Sequence, residues 1–185
     1  DSITAGCDLF LTNSFGSNRS RLKLHGAGSR AFSISKIAAE LAIEVSQKST
    51  RNIILAGSMG PTGEIMHPIG PLTHEIAVEI FHEQAEGLKA GGVDVLWFET
   101  ISAKEELAAA VEAAELANMA WCGTMSFDTA GRTMMGLTSP QMIDLITRMD
   151  KNLIAFGANC GVGSSDLIRT ILGFENKSDS YPIIA

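Results

Sequence analysis

The segments GVDVLWFE (residues 92–99) and GCDLFLTN (residues 6–13) follow one pattern, and this repeat bears most directly on the fold. Each segment begins with a glycine that ends a helix, passes through an aspartate into an apolar strand, and finishes on a polar residue. Repetition of one βα unit favours a barrel, which is built from equivalent units. Because any αβ unit can follow this pattern, a doubly wound sheet stays open as the alternative.

Short apolar runs alternate with longer helical patterns along the chain. Residues 33–47 predict a helix, because Ile37, Leu41 and Val45 recur every four residues as the apolar stripe of an amphipathic helix. A second helix is predicted at residues 76–90, ending at two glycines. Continuous apolar strands between such helices predict a parallel sheet covered by helices. The predicted strands are residues 9–12, 52–56, 94–98, 121–125, 153–158 and 181–185.

Six strands do not close an eight-stranded barrel. The chain opens with Asp1 and ends on the strand-like segment YPIIA, residues 181–185. We therefore expect an α/β fold, an incomplete (β/α)8 TIM barrel with about strands two to seven present. This forms one domain, residues 1–185, which lacks both ends. A short natural protein with a C-terminal edge strand is the alternative.

Composition limits the class of protein. The chain is 45% hydrophobic and 19% charged, so it can bury a core, and its net charge of -7 argues against binding to nucleic-acid backbones or anionic membranes. No apolar run approaches the roughly 20 residues of a membrane span. The three cysteines are too few and too scattered for a disulfide framework, which favours a reducing, cytoplasmic location.

Polar residues are concentrated where the predicted strands end, which is where barrel enzymes place their active sites. The sharpest candidate is Cys160, which follows the fifth predicted strand between Asn159 and Gly161. Its position near a helix start favours a thiolate, the form that a soft metal such as zinc requires. A single cysteine is more often a small buried apolar residue, and Cys7 and Cys122 fit that description.

Glu99 ends an otherwise apolar strand, and a carboxylate there is costly unless it is paired or binds a cation. A substrate ammonium group would be a natural partner, and a structural ion pair with an Arg or Lys is the alternative. The glycine-rich residues 57–63 look like a phosphate loop only superficially, because they lack the G-K-[ST] ending. No two histidines have the spacing of metal ligands, and no Gly-x-Ser-x-Gly motif is present.

Four motifs occur in an order that resembles one family. They are TNSFG (12–16), GSMGPTGE (57–64), FET (98–100) and GANCG (157–161). Together they resemble the homocysteine S-methyltransferase family, which includes betaine–homocysteine methyltransferases and the N-terminal module of cobalamin-dependent methionine synthase. The resemblance spans essentially the whole chain, and the ordered set is specific although each motif alone is weak.

The resemblance implies transfer of a methyl group to the thiol of homocysteine, giving methionine, at a zinc bound by three cysteines. Cys160 matches the first of these ligands, and the other two form a Cys-Cys pair in a later Gly-Gly-Cys-Cys-Gly segment that these 185 residues do not contain. The family's early Asp-Gly-Ala-Met-Gly-Thr-like segment is absent as well. Glu99 matches the acidic residue that holds the amino group of homocysteine. Asn159 and Asn13 fall at positions that line the same pocket.

The implied methyl donor is betaine, because the sequence as a whole looks most like those of bacterial betaine-type members of the family. Phe127 is the best of the aromatic candidates for holding a quaternary cation, although packing is its expected role, and Trp97 and Trp121 are expected in the core. One alternative is the homocysteine-binding module of cobalamin-dependent methionine synthase. Another is a non-catalytic barrel fragment that captures an amino acid through Glu99 and Asn159. A metal-free aldolase or decarboxylase is disfavoured because no lysine lies in a predicted strand.

Overall fold

The computed structural model describes residues 2–149, 151–175 and 181–185. Strands alternate with helices throughout this part of the chain, as predicted. The strands are β1 (Leu9–Leu11), β2 (Ile54–Met59), β3 (Val95–Ile101), β4 (Trp121–Met125), β5 (Leu153–Ala158) and β6 (Ile183–Ile184). The α-helices are α1 (Arg19–Lys23), α2 (Ala31–Ser46), α3 (His74–Gly91), α4 (Lys104–Leu116), α5 (Ser139–Ile146) and α6 (Ser164–Glu175).

All six strands are parallel, and their order in the sheet is their order in the chain. Each crossover therefore moves one strand further in the same direction, and right-handed crossovers of this kind place the helices on one face. A doubly wound sheet would instead reverse its strand order at a switch point. The described residues form a curled half-barrel of βα units, which confirms the incomplete barrel over the doubly wound alternative.

The core lies between the sheet and the helices, and Phe98 of β3 is near its centre. The Phe98 ring centroid is 6.4 Å from that of Phe81 on α3 and 5.7 Å from that of Trp121 on β4. All three side chains are fully buried. Close-packed rings of this size resist displacement, so the strands hold their C-terminal ends in fixed relative positions. In the described part of the chain, no helix has the length and apolar character needed to cross a membrane.

The bounds of β4 and β5 are those predicted, whereas β2 and β3 run further than their apolar patterns indicate. β2 continues to Met59 and β3 to Ile101, because backbone pairing with neighbouring strands extends them beyond the predicted ends at Ala56 and Phe98. Ser58 and Glu99 therefore lie within strands. The register of β3 against β4 shifts between Phe98 and Ile101, which marks a bulge at the end of β3.

Helix α2 has nearly the predicted bounds, but its apolar stripe is not its buried face. Ile37, Leu41 and Val45 are 50%, 58% and 47% exposed. The helix instead packs on α3 through small residues, and a Cβ added to Gly91 would lie 2.5 Å from the Cβ of Ala39. Such a close approach leaves no room for a larger side chain. Side-chain size, more than hydrophobicity, therefore determines which face of α2 is buried.

Candidate functional site

The C-terminal ends of β3 and β5 are joined by side-chain contacts that pass over β4. The backbone N–H of Thr100 donates to Oδ1 of Asn159 (3.1 Å), and Nδ2 of Asn159 donates to Oγ1 of Thr100 (2.8 Å). We call these two hydrogen bonds the Thr100–Asn159 bracket. Because β4 lies between β3 and β5, the bracket spans the sheet edge. It brings Glu99, the neighbour of Thr100, and Cys160, the neighbour of Asn159, to the same edge of the half-barrel.

Cys160 is exposed and its thiol is free. Its Sγ lies 3.6 Å from Nδ2 of Asn159 and 3.9 Å from Oγ1 of Thr100. The backbone turns sharply here, with a φ of 57° at Cys160 and 83° at Gly161. A positive φ is uncommon for a residue with a side chain, so this conformation is held in place by its surroundings. The result is an accessible sulfur at the strand edge, as predicted from the sequence.

The Glu99 side chain is half-buried, and its Oε1 accepts a hydrogen bond from the hydroxyl of Ser58 on β2. The ion pairs between described residues do not include Glu99. The structural ion pair considered from the sequence is therefore not formed in this part of the chain. The carboxylate is oriented by a neutral donor and remains available to a cationic group of a ligand.

A buried polar network lies behind Ser58 and connects the strand ends to the helices. The backbone N–H of Ser58 donates to Oγ1 of Thr12 (3.0 Å), and the hydroxyl of Ser14 donates to the carbonyl of Ser58 (2.7 Å). From the helix layer, Nε2 of Gln84 on α3 donates to the carbonyl of Ser14 (2.8 Å) and to Oγ of Ser17 (3.0 Å). The amide nitrogen of Gln84 is thus bonded, whereas its buried Oε1 has no hydrogen-bond partner among the described residues. The bonds that are formed restrict the backbone around Ser14 and Ser58.

Asn13 forms no side-chain hydrogen bond with the other predicted site residues in the part of the chain that the structure describes. Its side chain is exposed just past the end of β1, beside the groove between β1 and α2. Its neighbour Thr12 is the residue that reaches the site, through Ser58. Sequence analysis missed Thr12, Ser58 and Thr100 as supporting residues, and the signal that could have found them is a hydroxyl side chain at the end of a strand.

Of the other two cysteines, Cys122 is buried as predicted, whereas Cys7 is only partly buried. Cys122 of β4 is buried, and this burial raises the pKa of its thiol to about 11, so it stays protonated at neutral pH. The Cys7 thiol donates to the carbonyl of Leu9 at the start of β1. Neither sulfur lies at the edge that carries Cys160.

The aromatic candidates for a cation site are mostly packed into the core. Phe127 is buried, and its ring meets the ring of Phe174 edge-on at 5.9 Å between centroids. Trp121 is fully buried, and its indole N–H donates to the carbonyl of Lys151 (3.0 Å). The packing roles expected for Phe127 and Trp121 are therefore confirmed, while Trp97 is half-buried.

Residues 60–64 of the GSMGPTGE motif form a turn after β2 that is fastened to α4. Thr62 donates to Oε1 of Glu106 twice, from its backbone N–H (2.8 Å) and from its hydroxyl (2.6 Å). Glu106 is 5% exposed, and burial raises its pKa, although the bonds from Thr62 act in the opposite direction. This motif therefore has a structural role in shaping the rim of the half-barrel, and it is not a phosphate loop.

Within the described residues, no group of three His, Cys, Asp or Glu side chains is placed to hold a metal ion. Cys160 fits a zinc ion as one ligand, because its sulfur is exposed and its side chain lies at the strand edge. A complete zinc site needs further ligands.

An exposed thiol and a carboxylate that forms no ion pair with the described residues lie at the C-terminal edge of a curled parallel sheet, which is where barrel enzymes place their ligand sites. The family model described as Homocysteine S-methyltransferase matches residues 1–185, and the chain belongs to that family.

Its curated relatives include methionine synthases from Mycobacterium leprae (strain TN) and Mycobacterium tuberculosis (strain ATCC 25618 / H37Rv), each 27% identical over 174 residues. These matches cover 88% of this chain and 14% of each relative, so the chain spans about a seventh of their length. The homocysteine methyltransferase MmuM from Escherichia coli has a similar structure. Its metallated form gives a TM-score of 0.84 at 16% identity, over 98% of this chain and 67% of that one, and its apo form gives 0.68. At this identity the likeness shows the fold alone.

Proposed function

We propose that this chain forms the homocysteine-binding part of an enzyme that transfers a methyl group to the homocysteine thiol and so produces methionine. The observation that supports this most is the placement of Glu99 and Cys160 at one strand edge, tied together by the Thr100–Asn159 bracket. Membership of the family gives the reaction class. The names of the relatives, methionine synthase and homocysteine methyltransferase, point the same way.

Zinc is the proposed cofactor, with Cys160 as its ligand and as the catalytic residue of this chain. The exposed sulfur of Cys160 and the metallated form of the E. coli relative support the proposal. When bound, zinc would keep the substrate sulfur as a thiolate at neutral pH, which is a far better nucleophile than a thiol. We propose that two further cysteine ligands complete the site together with Cys160.

Substrate binding is proposed to depend on Glu99, whose carboxylate would accept hydrogen bonds from the ammonium group of homocysteine. Ser58 holds that carboxylate in place, and the absence of a paired Arg or Lys among the described residues leaves its charge for the ligand. Asn159 and Asn13 are proposed to line the same pocket, Asn159 from the strand edge and Asn13 from the exposed end of β1. The role of Asn13 rests on the sequence motif.

Betaine is the proposed methyl donor. In that reaction the homocysteine sulfur loses its proton and gains the methyl carbon, while the C–N bond breaks and its electron pair stays on the departing tertiary amine. A corrinoid donor, as in the homocysteine module of cobalamin-dependent methionine synthase, is the second candidate, and the mycobacterial relatives are named methionine synthases. A non-catalytic barrel that only captures an amino acid is the third.

The wider architecture is also a proposal. The six strands would be strands two to seven of an eight-stranded barrel, and residues 1–185 would be the greater part of one homocysteine-binding domain. The coverage of 67% of the E. coli enzyme at a TM-score of 0.84 supports this. We propose a cytoplasmic location, supported by three free thiols, one of them exposed.

Methyl transfer from a panel of donors tests the proposal. The intact protein that carries this chain would be loaded with zinc and incubated with homocysteine and, in separate reactions, betaine, a methylsulfonium compound and methylcobalamin. Formation of methionine with betaine is expected. Turnover with methylcobalamin alone would favour the second candidate, and homocysteine binding without turnover by any donor would favour the non-catalytic one.

A further inference from the structure

We infer that Asn159 and Thr100 are positioning residues, which act by fixing the Glu99 carboxylate relative to the Cys160 sulfur and not by contacting the substrate. This inference rests on the proposed function and deepens it. It concerns the bracket between β3 and β5, whose two hydrogen bonds are 2.8 and 3.1 Å long.

The hydrogen-bonding capacity of Asn159 is largely used within the protein. Oδ1 accepts the backbone N–H of Thr100, and Nδ2 donates both to Oγ1 of Thr100 and to Sγ of Cys160. A side-chain amide has two N–H donors, and both are therefore engaged. A substrate could reach only the second lone pair of Oδ1, so direct recognition of homocysteine is a minor role for this residue at most.

Thr100 needs an external constraint because its backbone lies in the left-handed region, with a φ of 63°. That conformation is costly for a β-branched residue and persists only where the surroundings fix it. The bracket supplies this constraint by holding both the backbone N–H and the hydroxyl of Thr100. Glu99 directly precedes Thr100 in the bulge at the end of β3. The N–H that Asn159 holds belongs to the peptide group between Glu99 and Thr100, so the bracket fixes the backbone from which the Glu99 side chain extends.

The side-chain amide of Asn159 also constrains Cys160. Its φ of 57° is also left-handed, and its sulfur receives the second N–H of Asn159 at 3.6 Å. Groups that hydrogen-bond to a metal ligand orient it, and their loss typically lowers metal affinity or activity by roughly 10- to 100-fold. One side chain thus fixes the metal-binding sulfur and, through Thr100, the carboxylate.

Glycine substitution separates positioning from substrate contact. Glycine adopts a positive φ without strain, so Thr100→Gly should preserve the backbone conformation when the bracket is lost. We would measure KM for homocysteine, kcat and zinc affinity for the wild type, Asn159→Ala, Thr100→Gly and the double variant. Asn152→Ala is the control for the loss of an asparagine side chain, since Asn152 precedes β5 at the opposite edge of the sheet.

Asn159→Ala is expected to raise KM for homocysteine by roughly tenfold in the wild-type background and by less than about threefold in the Thr100→Gly background. Its effect on zinc affinity should be the same in both backgrounds, because the bond to the sulfur does not pass through Thr100. Asn152→Ala should leave KM and zinc affinity unchanged. An equal rise of KM in both backgrounds would overturn the inference and make Asn159 a direct substrate contact. Unchanged KM and zinc affinity in Asn159→Ala would overturn it as well.

Two further measurements keep the test independent of folding and of the proposed activity. If Asn159→Ala does not fold, Thr100→Val removes only the hydroxyl and conserves volume, and it should raise KM while leaving the melting temperature nearly unchanged. Amide hydrogen exchange at Thr100 should be slow in the wild type and fast in Asn159→Ala, whether or not methyl transfer occurs. A wild type that forms no methionine but protects this amide would refute the proposed function alone, whereas an unprotected amide would refute the bracket.

Discussion

The hydroxyl of Ser58 donates a hydrogen bond to the Glu99 carboxylate, so a buried residue of β2 orients the charged residue of β3. Ser58 is itself held by Thr12 through its backbone N–H and by Ser14 through its carbonyl. The carboxylate is thereby placed by a chain of neutral groups, and its negative charge is not cancelled by a neighbouring cation. Such preorganisation suits a site that binds an ammonium group.

Ser58→Ala should weaken homocysteine binding without changing zinc content. Losing this hydrogen bond costs about 0.5–1.5 kcal/mol and leaves the carboxylate free to rotate, so KM should rise roughly 3- to 10-fold. Steady-state kinetics and metal analysis would measure both quantities. Ser35→Ala is the matched control, because Ser35 is a buried serine that pairs with Ser17 in the same network. An equal rise of KM in the control would mean that loss of stability, not carboxylate position, is responsible.

Glu99→Gln should reduce homocysteine affinity more strongly, because it removes the charge as well as changing one contact. A charge-assisted hydrogen bond contributes about 1.5–3 kcal/mol, which corresponds to a loss of roughly 10- to 150-fold. Isothermal titration with homocysteine on the zinc-loaded protein would measure the loss. The side-chain oxygen of glutamine can still accept a hydrogen bond from the Ser58 hydroxyl, so the fold should be unaffected. Unaltered affinity would show that Glu99 is structural and that the pocket lies elsewhere.

Glu106→Gln should change how stability depends on pH. Burial raises the pKa of Glu106 above its ordinary value of 4.5, so the folded state holds this proton more tightly than the unfolded state does. The protonated form therefore contributes stability that is fully present below pH 4.5 and is lost as the pH rises through the folded pKa. Glutamine keeps an oxygen for both Thr62 donors and has no charge to bury. Denaturant unfolding from pH 4 upward should show a smaller decline in the variant, and parallel curves would contradict this assignment.

The thiols should differ sharply in their reactivity toward an alkylating reagent. Cys160 is exposed, whereas Cys122 is buried and its pKa is raised to about 11, so only a minute fraction is thiolate at neutral pH. Mass spectrometry of native protein treated briefly with iodoacetamide should find Cys160 modified and Cys122 intact. Modification of both residues in urea is the control for reagent access. Zinc should protect Cys160, and faster labelling of Cys122 in the native protein would contradict the structure.

Much of the fold could be predicted because hydrophobic pattern and element length are local properties. The bounds of β4 and β5 follow directly from their apolar runs, and the equivalence of residues 6–13 and 92–99 indicated a barrel. The ends of β2 and β3 could not be predicted, because pairing between strands extends β2 through Ser58 to Met59 and β3 through Glu99 to Ile101, and the polar residues interrupt the apolar pattern. The exposed stripe of α2 was missed because packing on α3 selects small residues, which no periodicity reveals.

The candidate site could be predicted in its outline but not in its connections. Position at a strand end identified Glu99 and Cys160, and the structure brings both to one edge. The sequence gives no sign that Asn159 bonds to Thr100, because the two residues are separated by 59 positions and by an intervening strand. Asn13 and Thr12 are neighbours with opposite orientations, and which of them faces the network depends on the pleat of β1.

The zinc content of the intact protein, measured together with its methyl transfer to homocysteine in the wild type and in Cys160→Ser, tests the central claim most directly. The wild type should bind one zinc per chain and convert homocysteine to methionine. Serine is a poor ligand for zinc, so the variant should lose the metal and the activity together while its melting transition in the metal-free state matches that of the metal-free wild type. Tight stoichiometric zinc and undiminished methionine formation in Cys160→Ser would contradict the account.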